Sequence, residues 1–209
     1  MKNVSIFCLT LNPSHEENIK KLSFIPVGLG SKKFSNNFFS DKTKDNISNK
    51  NPYYGEYTFH YWLWKNFLGS IKTEWVGFCQ YRKFFIKKNM SSSNISFEKL
   101  KEIIIVDLDE NIKKYDCVLG NKLFVTNYKF SKIIKNHFLH FMFNPSLLLD
   151  QKKRNLKLQF DLFHGKGNLD MAINLLDQNY QESFKDFMVN NISFNPHNMF
   201  ICKTYILNQ

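Results

Sequence analysis

Apolar residues fall along this chain in short runs broken by polar punctuation, and the period of the runs changes. Residues 4–11, VSIFCLTL, are almost continuously apolar and predict a buried first strand, ended by Asn12-Pro13. Ser14 then caps a short helix, with Glu17 three positions on completing a capping-box pattern. A second short strand is expected over 24–27, closed by Gly28 and Gly30, and Pro26 demotes it to an edge or an irregular segment. Residues 31–52 are polar, rich in Ser, Asn, Lys and Asp: a surface loop, or a long loop that binds something.

Residues 54–68 predict a very aromatic helix. Tyr57, Tyr61, Trp64 and Leu68 share one face, and Phe59, Leu63 and Phe67 widen the apolar arc, so the aromatics read first as core filler. Residues 75–79, WVGFC, predict a central strand that empties into Gln80-Tyr81-Arg82-Lys83. Polar loop, helix, strand and cationic tip together are how α/β enzymes build a site at the carboxyl end of a strand. Further on, the pattern predicts an amphipathic helix over 97–106 and a strand over 115–119. Helices over 169–176 and 183–189 and a last strand over 199–202 complete it.

With 209 residues the chain is expected to form a single domain, 1–209, large enough to fold without disulfide or metal staples. The net charge of +11 comes as scattered pairs such as Lys20-Lys21, Lys32-Lys33 and Lys113-Lys114. No helix carries a basic stripe, so nucleic acid is not the expected partner, and the charge reads as solvated surface with a general attraction to membranes or anionic donors. Cys8, Cys79, Cys117 and Cys202 form no CxxC pair and sit in or beside apolar runs, as buried thiols of a reducing compartment do. Without a leader pattern or an apolar run of spanning length, the expectation is a cytoplasmic protein.

Several polar residues stand out chemically. Glu56 and Lys65 interrupt an apolar helix and need partners if buried. Arg82 at a strand end suits bidentate contact with a phosphate or carboxylate, or else a structural ion pair with Glu56 or Asp45. Asp107-Leu108-Asp109 is a weak metal motif in a charged turn, and Asp116 a second weak candidate. His137 and His140 lack an evident third ligand. His164 and Asp170 flank a Gly165-Lys166-Gly167 turn that is no dinucleotide fingerprint, because the third glycine is missing. They can act as a base or a sugar-hydroxyl binder, with an ordinary turn the commoner reading of such spacing; His197 and Asn198 are polar groups at the start of the last strand, or turn residues that satisfy the local backbone.

Four segments in order, DNISNKNPYYGEYTFHYWLWKN, WVGFCQYRKFF, FHGKGNLDMAINLL and FNPHNMFICK, resemble a bacterial family of capsular and exopolysaccharide biosynthesis glycosyltransferases. That family was long carried as a domain of unknown function, and some members are linked to galactofuranosyl transfer. The similarity runs over residues 6–203. It implies a GT-A-like α/β nucleotide-sugar-binding domain, with a mixed central sheet flanked by helices. It implies transfer from a nucleotide-sugar donor to a glycan or lipid-linked glycan acceptor of a surface polysaccharide. Peripheral contact with the inner face of the cell membrane and a divalent metal such as Mn or Mg are options it leaves open.

By position, Asp45, Asn46, Ser48 and Lys50 match the family's Asp-Asn-Ile-Ser loop, and Glu56, Tyr61, Trp64 and Lys65 its aromatic helix. Tyr81 and Arg82 match its tip, His164 and Asp170 its His…Leu-Asp segment, and His197 and Asn198 its last motif. The implied roles are Asp45 or Asp170 as base, with His164 or His197 as the alternative, Arg82 and Lys50 on the diphosphate, and Tyr81 and Asn198 on sugar hydroxyls. The chain departs from the family with Gln80 where many members have His, and with Lys83 for a second Arg. Members usually continue with further helices, so the resemblance implies a C-terminally short form. A truncated, catalytically impaired glycan- or nucleotide-binding accessory module is the alternative.

Overall fold

In the computed structural model, which describes residues 3–87, 95–126 and 130–208, the first apolar run is strand β1 (Val4–Thr10). It lies in a sheet with β2 (Ile25–Gly28), β3 (Phe39–Ser40), β4 (Trp75–Gln80) and β5 (Cys117–Leu119). A separate two-stranded ladder joins β6 (Leu123–Phe124) to β7 (Ser193–Phe194), and β8 (Phe200–Lys203) returns to the large sheet. The order of that sheet is β3-β2-β1-β4-β8-β5. Strands β1 to β4 run parallel, while β8 is antiparallel to both its neighbours. The mixed α/β sheet flanked by helices is the expected fold class.

The side-chain period of two sorts the central strands onto two cores. On one face Ile6, Cys8, Trp75, Cys79 and Ile201 pack with Ile19 of the Glu16–Lys21 helix and with Leu22. On the other, Phe7, Leu9, Val76, Phe78 and Cys202 pack with Phe59, Trp62 and Leu63 of the Tyr57–Asn66 helix. Central strands covered on both faces need continuous apolar runs, which is why VSIFCLT and WVGFC show no polar alternation. Gly77 lets β8 close on β4, because a Cβ there would meet Ile201 Cγ1 at 2.9 Å.

Two expectations are corrected. Strand β2 is interior, not an edge. It tolerates Pro26 because its pairing with β3 begins only at Val27, so the missing N–H is not needed on that side. The aromatic helix buries Thr58, Phe59, Trp62 and Leu63, whereas Tyr57 and Trp64 remain 50% exposed. Its two stripes are similarly apolar. The tyrosine hydroxyls decide between them, since Tyr57 donates to Asn198 Oδ1 at 2.7 Å and Tyr61 to Asp45 Oδ1 at 3.1 Å.

The chain divides into two compact units, Met1–Gly120 with His197–Gln209, and Asn121–Pro196. The first contains the large sheet. The second is mostly short helices, with the longer Leu156–His164 and Gln178–Asn190 helices and the β6–β7 ladder. No helix among the described residues is long and apolar enough to cross a membrane.

Candidate active site

Strand order reverses between β1 and β4: the chain leaves β1 toward β2 and β3, then returns to the other side of β1 as β4. In open α/β sheets the crevice beyond the carboxyl ends of two such strands is the default ligand site. Here it is a cleft of about 660 Å³, lined by the end of β1, the tip of β4 and the turn that precedes the aromatic helix.

The β1 side is a small polar network. Asn12 Oδ1 accepts from Ser14 N at 3.2 Å and so caps the Pro13–His15 turn. Thr10 Oγ1 accepts from Asn12 N at 3.1 Å and lies 2.8 Å from His15 Nδ1. Asn12 Nδ2 faces His15 Nε2 at 3.4 Å. An amide donating to Nε2 leaves Nδ1 as the protonated nitrogen, which donates to Thr10. The His15 ring lies flat on Tyr81, with centroids 3.6 Å apart and planes 18° apart, and Tyr81 Oη accepts from Asn18 Nδ2 at 3.2 Å. Burial, then the charges of Arg82 and Lys32, push the His15 pKa down, so the ring is neutral at neutral pH.

At the β4 tip the chain turns tightly, with Lys83 N donating to Gln80 O at 2.8 Å. Arg82 takes φ +86°, a left-handed conformation costly for a residue with a Cβ. Its guanidinium is exposed, and no carboxylate among the described residues pairs with it. The structural ion pair with Glu56 or Asp45 is therefore not formed. Glu56 instead receives amides: Gln80 Nε2 and Asn198 Nδ2, the latter at 3.0 Å, both donate to its Oε1. Its Oε2 has no hydrogen-bond partner among the described residues.

The Glu56 turn is braced from behind. Gly55 takes φ +53°, and Asn51 Nδ2 holds the turn through Gly55 O at 2.8 Å and Thr58 Oγ1 at 3.1 Å. Thr58 donates at 2.6 Å to Asp41, a fully buried carboxylate whose other oxygen has no partner among the described residues. Beyond Asn198, His197 has φ +74°, and its Nδ1 accepts from Lys83 Nζ at 3.0 Å. Burial, then Lys83, lowers the His197 pKa, against a smaller opposing effect of Glu56.

Of the residues singled out from sequence, Glu56, Tyr81, Arg82, His197 and Asn198 are thus brought together in and around one cleft. The others are not. Asp45 is exposed and bonded to Tyr61, and its carbonyl accepts from Asn66 at 2.7 Å. Asn46 closes an Asx turn onto Ser48. Lys50 lies 6.0 Å from the Tyr54 ring, and Lys65 covers Trp64 at 3.6 Å. His164 and Asp170 belong to the second unit. There His164 packs on Phe160, and Asp170 shares Lys157 with Asp161, at 3.0 Å each.

Thr10, Asn12 and His15 escaped sequence reasoning as site residues, and Asn51 was read only as part of the polar loop over 31–52. The available signal was a polar cluster directly after a buried strand, which reads as a plain break and cap. Gln80 supplies one of the two amides on Glu56.

The weak metal candidates are used locally. Asp107 Oδ1 accepts from Leu108 N at 2.9 Å, Asp109 caps a turn through Ile112 N at 3.0 Å, and Asp116 pairs with Lys203 at 2.8 Å. Among the described residues no group of three or more His, Cys, Asp or Glu is placed to hold a metal ion.

A family model described as a domain of unknown function, DUF4422, matches residues 7–209. No curated protein matches the sequence. Among solved structures, the apo structure of the bifunctional glycosyltransferase WbbM matches with a TM-score of 0.61 at 22% identity. The match covers 99% of this chain and 35% of the WbbM chain, so what the two share is a fold over part of a larger protein.

Proposed function

This chain belongs to the DUF4422 family, and from that premise we propose that it is a glycosyltransferase. It moves a sugar from a nucleotide-diphosphate donor to a glycan or lipid-linked glycan acceptor of a surface polysaccharide. The observation that carries the reading is a single pairing at the strand-order reversal. A strained Arg82 shares the cleft with a carboxylate, Glu56, and among the described residues the guanidinium has no carboxylate partner and one Glu56 oxygen has no hydrogen bond. The fold shared with WbbM supports it.

Sugar transfer breaks the bond between the anomeric carbon and the diphosphate and forms one to the acceptor oxygen, which gives up its proton. Arg82 neutralises the departing diphosphate, and its planar fork suits phosphate oxygens. Glu56 Oε2 accepts the acceptor proton, while the two amides on Oε1 fix the carboxylate's direction. Glu56 takes the base role in place of Asp45, which is exposed and bonded to Tyr61. The stacked His15–Tyr81 pair offers a flat surface for a ring of the donor.

The test is a donor screen that measures nucleotide release from a panel of nucleotide sugars, with and without acceptor glycan. Release that depends on acceptor is the expected result. Donor binding without release points to an accessory module, and a folded protein that binds no nucleotide sugar overturns the reading.

A further inference from the structure

The second unit carries an exposed apolar surface of its own. The Phe138–Phe143 helix buries Phe141, while Phe138, Leu139, Met142 and Phe143 are 51–76% exposed. The chain continues through the Asn144 and Leu147 turn bonds into Ser146–Leu149, where Leu149 is 87% exposed. An ordinary amphipathic helix shows the opposite distribution, and a contiguous exposed patch of this kind marks an interaction surface.

Charge identifies the partner. Exposed Lys132 and Lys135 precede the patch, and exposed Lys152 and Lys153 follow it. Between Asp116 and Asp150 the sequence holds no Asp or Glu. Asp150 itself is engaged at a cap, its Oδ1 accepting from Lys152 N at 2.9 Å. A second exposed apolar group in the same unit, Met171, Leu175 and Tyr180, lies among Asp170, Asp177 and Glu182 and has the wrong charge for an anionic partner.

We propose that residues 138–149 dock on the surface of an anionic lipid bilayer. The Phe, Leu and Met side chains enter the boundary between headgroups and acyl chains, and the flanking lysines meet lipid phosphates. Six-residue and four-residue helices cannot span a bilayer, so they lie in its plane. This does not depend on the glycosyltransferase reading.

The test uses the full chain with vesicles of phosphatidylcholine alone or mixed with phosphatidylglycerol. Cosedimentation with the mixed vesicles, weakening as salt rises, is expected. The double variant Phe143→Asp/Leu149→Asp, at exposed positions, should lose roughly tenfold or more of that partitioning with its thermal transition unchanged. Lys152→Glu/Lys153→Glu should weaken binding to the mixed vesicles only. The proposal falls if the wild type ignores both vesicle types, or if the Asp double variant binds as the wild type does. It also falls if the patch is instead buried between two copies of the chain, seen as a dimer that the Asp variant dissociates and that binds no vesicle.

Discussion

Two polar segments flank the same aromatic helix of the first unit, and they differ in kind. The loop from Asp45 to Lys50 satisfies itself: Asn46 bonds Lys44 and Ser48, and Asp45 takes the Tyr61 hydroxyl. The Glu56 turn and the β4 tip join residues far apart in sequence, Glu56 to Gln80 and Asn198, and Lys83 to His197. Among the described residues they also leave a guanidinium and a carboxylate oxygen unmatched. A polar segment that spends its hydrogen bonds locally is a turn. One that is braced at long range, yet keeps charged groups free in a cleft, is preorganised for a ligand.

The contrast breaks most sharply at Glu56. Glu56→Gln can keep its carbonyl toward Gln80 and Asn198, so the bracing survives while the base is lost. Turnover should fall by about 10²–10⁴ with donor affinity retained, as separate binding and nucleotide-release assays would reveal. Were turnover unaffected, the proton would have to go elsewhere.

Next in size is Arg82→Ala, which should weaken donor binding by about a hundredfold. It should leave thermal stability unchanged or slightly raised, because the guanidinium has no partner among the described residues and the φ +86° strain eases only a little with Ala. Wild-type affinity measured by calorimetry would remove Arg82 from the donor site.

A third test separates buried polarity from function. His60 lies one turn after Glu56 but faces the rings of Phe78 and Phe200, and its Nε2 has no hydrogen-bond partner among the described residues. Burial lowers its pKa from 6.5 to about 4, against a small opposing pull from Glu56. A histidine depressed in this way contributes stability that is fully present above pH 6.5 and is lost as pH falls toward 4, roughly 3 kcal/mol in all. His60→Phe should flatten that part of the pH–stability curve. An unchanged curve would assign the acid sensitivity to other groups.

The smallest effect belongs to the self-satisfied loop. Asp45→Ala removes one exposed hydrogen bond and should cost less than about 0.5 kcal/mol, with turnover within about twofold of wild type. A large loss of turnover would return the base role to Asp45 and reverse the comparison.

Much of the fold was legible from the apolar runs. β1 and β4 read as buried strands because both faces of a central parallel strand are covered, and that leaves a local signature. The strand end carrying Tyr81 and Arg82 was legible for the same reason: a cationic tip directly after a buried run. His15 was not, because a histidine two residues after Asn12-Pro13 looks the same whether or not a tyrosine from position 81 stacks on it.

The amino-acid sequence by itself determined the buried strands β1 and β4 and the aromatic helix between them, since periodicity, proline and capping residues act over a few neighbouring positions; the two-residue strands and the short helices of the second unit left no such local signature. It also determined that the strand ends are polar. The tertiary structure decided that Tyr57–Asn66 turns Phe59 and Trp62 inward and Tyr57 outward, because two stripes of near-equal hydrophobicity are ranked only by the partners they meet. It decided as well that Glu56, rather than Asp45, meets Gln80 and Asn198. That meeting depends on β8 returning antiparallel beside β4, a pairing of residues more than a hundred positions apart that no local pattern encodes.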